Sequence, residues 1–135
     1  MGRINQFAVL LAVFLQQVLG FVWYHFLFGP TWLAALGMTP VQMQGRTWRF
    51  AVALGCGLVS AYGLAWLMEA TGRRGFAQGV AMGLFTGIAF AGSAVLLHYA
   101  FIPAAWPAAW IDAGVTVAAA ALTGAVLGLW PKRAR

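Results

Sequence analysis

Four apolar runs divide the chain, separated by short interruptions rich in polar residues, glycine and proline. They cover about residues 6–28, 48–68, 76–99 and 108–130. Each is long enough, at about 1.5 Å per helical residue, to cross a hydrocarbon core of about 30 Å. The pattern predicts an all-α fold. Residues 1–135 make one domain, an integral membrane bundle of four transmembrane helices. Residues 29–47 form a long connection between the first two runs. Its contents (Trp32, Leu33, Leu36, Met38, Val41, Met43) are too apolar for a free loop. Two short helical turns lying in the membrane interface are expected there. Pro30 opens the first and Gly37 ends it, and Thr39–Pro40 opens the second with Thr as N-cap.

The departures from apolarity inside the runs fall at helical spacing. Gln6, Val13, Gln17, Gly20 and Tyr24 share one face of the first run, and Asn5, Ala12, Gln16, Leu19 and Trp23 form the adjacent stripe. Gln16 and Gln17 lie near mid-membrane. An amide at that depth needs a protein partner or a wet cavity, because lipid offers no hydrogen bond. The third run carries Gly75, Gly79, Gly83, Gly87 and Ala91 at strict four-residue steps, and the fourth repeats the spacing with Thr116, Ala120, Gly124 and Gly128. Small residues so spaced let two backbones approach closely. Close contact is therefore expected between the third and fourth spans or across a dimer. His98 follows on the same face, seven residues beyond Ala91.

Composition fixes the solvent. Hydrophobic residues make up 63% and charged residues only 7%, against about a quarter charged in soluble domains, so most of this chain faces lipid. The net charge of +6 does not point to nucleic acid, because the basic residues are scattered in the gaps between runs. Arg3, Arg73, Arg74, Lys132, Arg133 and Arg135 fall on one side of a four-span topology, and Arg46 and Arg49 on the other. That asymmetry predicts both termini in the cytoplasm. The first run is longer than a signal-peptide core and ends in bulky aromatics, so it reads as a retained span. The single cysteine, Cys56, makes no intrachain disulfide and reads as a small packing residue.

One constellation carries candidate chemistry. The outer ends of three spans converge, bringing Tyr24 and His25 from the first, His98 from the third and Asp112 from the fourth. Gln16 and Gln17 extend this candidate polar site to mid-membrane. Ionisable residues inside a bundle are costly and are functional suspects by default. The structural alternative places Asp112 in the first turn of its helix, capping free N–H groups, with both histidines reaching water. Two histidines and one carboxylate make a thin metal site. No nucleophile has a base at its depth, and no glycine-rich loop follows a strand. No catalytic residue, metal or cofactor is expected. The sequence reads as a structural or accessory protein that associates with itself or another membrane protein. The alternative is a small solute or ion transporter or channel component that uses the polar cluster, and a membrane enzyme ranks last.

Trp23–Tyr24, Leu27–Phe28–Gly29, Trp32, Gly37 and Thr39–Pro40 resemble a known family, as do Ile111–Asp112–Ala113–Gly114 and the ending from Gly124 to Trp130. It is the family of small bacterial membrane proteins catalogued as domain of unknown function 1761, and the resemblance covers essentially the whole chain. It implies a four-helix protein of the bacterial inner membrane, without an established activity and with no catalytic residues to carry over. Where that family commonly shows an acidic residue soon after Thr-Pro, this chain has Val41 and Gln42.

Overall fold

The computed structural model describes residues 4–130. Helix α1 (Gln6–Phe21) starts at Asn5, whose Oδ1 accepts the backbone N–H groups of Phe7 and Ala8 at 3.1 and 3.3 Å. It continues without a break as a π-helical segment, Val22–Leu27. Helix α2 (Gly29–Ala35) and a 3₁₀ turn (Pro40–Met43) occupy the long connection. Helix α3 spans Trp48–Ala70. Helix α4 (Phe76–Thr86) runs through a second π-helical segment (Gly87–Gly92) into α5 (Ser93–Ala100). A 3₁₀ turn (Pro103–Ala105) leads into α6 (Trp106–Leu129). Among the described residues, four stretches are long and apolar enough to cross a membrane: Gln6–Leu27, Trp48–Ala70, Phe76–Ala100 and Pro103–Leu129. The described residues hold no strand, so the expected all-α, four-span bundle is what forms.

Local chemistry sets the boundaries. Pro30 and Pro107 sit in the first turns of α2 and α6, where a missing N–H leaves no helical bond unmade. Thr39 and Gln42 form a capping box, with the Thr39 N–H donating to Gln42 Oε1 at 2.8 Å. The turn between α3 and α4 uses Gly72 and Gly75 at φ of 65° and 95°, which a side chain would resist. The fourth span begins earlier than the expected residue 108, because Trp106 already has helical geometry. Arg3 and the basic tail (Lys132, Arg133, Arg135), on which the orientation argument leans, lie outside the described residues.

Helix α6 is the axis of the bundle. Helix α4 lies against it along its length, α1 packs on a second side, and α3 leans on α1 while barely meeting α4. The buried apolar core is correspondingly small-grained. Val9, Val13, Ala61 and Ala65 form one cluster, and Leu64, Met68 and Met82 another. The expected glycine ladder is real and is used inside one chain. A Cβ on Gly79 would overlap the Gly124 carbonyl, one on Gly83 the Ala120 carbonyl, and one on Gly128 the Gly75 carbonyl.

The ladder departs from expectation at its last rung. Gly92, not Ala91, is buried against α6, where an added Cβ would lie 3.1 Å from Val117 Cγ2. The π segment is the reason. Bonding from residue i to i+5 inserts one extra residue into the helical turn, so the fourth step of the ladder is five residues, Gly87 to Gly92. Glycine suits that step, since a Cβ at Gly92 would lie 2.9 Å from the Gly87 carbonyl oxygen five residues back. Ala91 is displaced to a half-buried flank.

Candidate functional site

Asp112 lies two turns into α6 and faces the first and third spans. Its two carboxylate oxygens each accept one phenol O–H: Oδ1 from Tyr24, and Oδ2 from Tyr99 at 2.5 Å. Neighbouring contacts brace the arrangement. The Trp23 indole N–H donates to the Ile111 carbonyl at 3.1 Å, one position before Asp112. The Trp23 ring also covers Gly114, where a Cβ would come within 2.9 Å of it. Tyr24 meets Trp32 of α2 edge-on at 5.1 Å between ring centroids. Thr116 donates its hydroxyl to the Asp112 carbonyl at 2.7 Å. Three spans and α2 are thereby tied at one end of the bundle.

Of the six expected residues, Tyr24 and Asp112 are brought together as foreseen. His25 and His98 are not part of the cluster. Both are exposed. His25 stacks on Phe21 at 4.9 Å and 12°, and His98 lies edge-on to Tyr99 at 5.6 Å. Tyr99, absent from the sequence-based set, takes the position expected for His98. The displacement follows from the same extra residue. Counting seven from Ala91 reaches His98, whereas counting seven from the true rung, Gly92, reaches Tyr99. The capping role foreseen for Asp112 also fails. Helix α6 starts at Trp106, so Asp112 lies beyond the first turn, and no side chain caps that helix.

Gln16 and Gln17 lie one stage deeper. Gln16 Nε2 donates to Thr123 Oγ1 at 2.6 Å, and Thr123, 1% exposed, donates onward to the Ala119 carbonyl at 2.7 Å. Gln17 Nε2 reaches the Ala53 carbonyl at a weak 3.5 Å. The absent side chain of Gly57 makes room for both amides, since a Cβ there would lie 2.8 Å from Gln16 Oε1 and 3.3 Å from Gln17 Nε2. These amides belong to the wall of a cavity of about 590 Å³ at mid-span depth. It exists because α3 leans on α1 and leaves a gap toward α4. Leu64, Leu67, Ala91 and Val115 give it apolar walls, and Ser60, Thr86, Thr116 and Thr123 add hydroxyls. Its α3 side, at Ala53, Cys56, Ser60 and Gly63, is exposed, so the opening lies on the surface of the bundle. A smaller pocket of about 410 Å³ lies beneath α2, between Tyr24, His25, Leu33 and Met38.

Chemically the two stages differ. Each oxygen of Asp112 already holds a phenol, which makes this cluster a clasp among helices. The cavity keeps amide and hydroxyl groups that are not fully engaged. Among the described residues no group of three or more His, Cys, Asp or Glu side chains is placed to hold a metal.

No curated protein and no solved structure matches this chain. A family model described as "Protein of unknown function (DUF1761)" matches residues 7–128. That range takes in all four spans, the Tyr24–Asp112–Tyr99 clasp and the cavity. With the match running across nearly the whole bundle, this multi-pass membrane protein belongs to the DUF1761 family.

Proposed function

We propose that the protein is a membrane-embedded binding protein that takes a small lipophilic molecule from the bilayer into the cavity between its second span and the rest of the bundle. The observation that carries this is the cavity itself, about 590 Å³ and open on the exposed face of the second span, a face expected to meet lipid. Volumes of roughly 300–1,000 Å³ with mainly apolar walls and a few convergent polar groups are typical of small-molecule sites. Keeping two amides at the middle of a span is otherwise unfavourable. The distribution of basic residues supports both termini facing the cytoplasm of a bacterial inner membrane.

The glycine ladder lends no weight to self-association, because it is occupied within the chain between the third and fourth spans. The doubly bonded Asp112 likewise favours a clasp over an ion path. The test is extraction. Protein purified from membranes in mild detergent and treated with organic solvent should release a lipophile at near-equimolar yield by mass spectrometry. The Cys56→Phe variant, which fills the cavity from its exposed wall, should release none. A wild-type protein that releases nothing beyond bulk phospholipid would refute the proposal.

A further inference from the structure

The polar groups of the cavity are unevenly divided between donors and acceptors. Four hydroxyls line it, and each already points its proton at a carbonyl of its own helix. Ser60 donates to Gly57, Thr86 to Met82, Thr116 to Asp112 and Thr123 to Ala119, at 2.7–3.0 Å. A hydroxyl so engaged has only lone pairs left to offer. Gln16 and Gln17 add two carbonyl oxygens, and each amide has used one N–H, on Thr123 and Ala53 respectively. Six side-chain oxygens, of which Thr123 Oγ1 already accepts from Gln16, thus face two residual N–H groups and the weak S–H of Cys56. Among the described residues no Lys, Arg, His, Asp or Glu lines the cavity. A charge placed there would meet no counter-charge at a depth where an unpaired ion is costly.

Resting on the binding reading above, we infer that the ligand is a neutral lipophile bearing a hydroxyl donor, an alcohol or phenol class, whose O–H is accepted by the side-chain carbonyl of Gln16 on the cavity wall. Ethers and esters, which bring acceptors to a wall of acceptors, are disfavoured. Ammonium and carboxylate amphiphiles are excluded by charge.

Cys56 supplies the readout, since it is the single cysteine and stands exposed on the cavity wall. Full-length protein in liposomes is alkylated with N-ethylmaleimide in the presence of three probes of equal chain length: a 4-alkylphenol, its methyl ether and an alkylammonium. The phenol should slow alkylation about tenfold more than the ether at equal mole fraction, the worth of one added hydrogen bond. In the Gln16→Leu variant, which removes the accepting carbonyl and leaves Thr123 its bond to Ala119, that preference should shrink about threefold or more, and an unchanged preference overturns Gln16 as the acceptor. Equal protection by phenol and ether overturns the donor preference and leaves the binding reading standing. Best protection by the ammonium probe overturns neutrality. Protection by none of them, with Cys56 reacting freely, overturns both the inference and the binding reading.

Discussion

Gly79 and Gly124 touch backbone to backbone: a Cβ placed on either would overlap the other's carbonyl oxygen. The third and fourth spans are therefore held at a distance only glycine permits. Gly79→Ala or Gly124→Ala should force the helices apart at a cost of about 1–3 kcal/mol, the range for overpacked cores. Gly55→Ala and Gly20→Ala meet nothing within 4 Å. They should be neutral or stabilise by up to about 1 kcal/mol, because alanine is the better helix former. Thermal unfolding in detergent separates the two classes.

Asp112 is expected to be the most sensitive polar position of the Tyr24–Asp112–Tyr99 cluster. Asp112→Ala leaves the phenols of Tyr24 and Tyr99 without their acceptor and should cost about 2–3 kcal/mol. Tyr99→Phe should cost less in the wild type and nearly nothing in the Asp112→Ala background, a non-additivity expected of residues in one network. His25→Ala and His98→Ala, both at exposed positions, should stay within about 0.5 kcal/mol.

The π segment at Gly87–Gly92 makes an unusual prediction about deletion. Removing exposed Ala89 turns the five-residue step into an ordinary four-residue one and keeps Tyr99 in phase with Asp112. That deletion should fold and remain sensitive to Tyr99→Phe. Removing two residues turns the outer half of the span by about 100° and should abolish both properties. Chromatographic yield of monodisperse protein and the shift in Tm report the difference.

Gln16→Leu removes the bond to Thr123 without creating an unpaired hydroxyl, since Thr123 keeps its bond to Ala119. The loss in stability should be modest, about 0.6–1.7 kcal/mol, as for other hydrogen bonds between membrane helices. The loss of bound lipophile in the extraction experiment should be far larger than that figure implies.

The sequence carried much of this architecture. Span positions, the Thr39 N-cap, the proline-led starts and the glycine ladder up to Gly87 all follow from local rules of spacing and propensity. Tyr24 with Asp112 was legible as well, because Asp112 lies in a regular helix and Tyr24 stands near the start of its own π segment, Val22–Leu27, where the helical phase has shifted little. Tyr99 was not legible. Its phase depends on one extra residue in a π turn, and apolar residues in a membrane helix carry no periodic contrast that would reveal it. Gly92 next to Ala91 is the nearest signal, two small neighbours either of which fits the ladder. The cavity was also hidden, because it depends on how far α3 leans from α4, a tertiary property that no run of residues encodes.

The bond between Gln16 and Thr123 has a consequence in time. The two residues are 107 positions apart, and the chain is made from its N-terminus. The first span is therefore complete, with a polar amide at its centre, long before the hydroxyl that will receive it exists. During that interval the half-built protein needs a temporary host for the amide, in water, in the insertion machinery or on another chain. Biogenesis, as much as the finished bundle, is where a substitution at Gln16 or Thr123 will be felt.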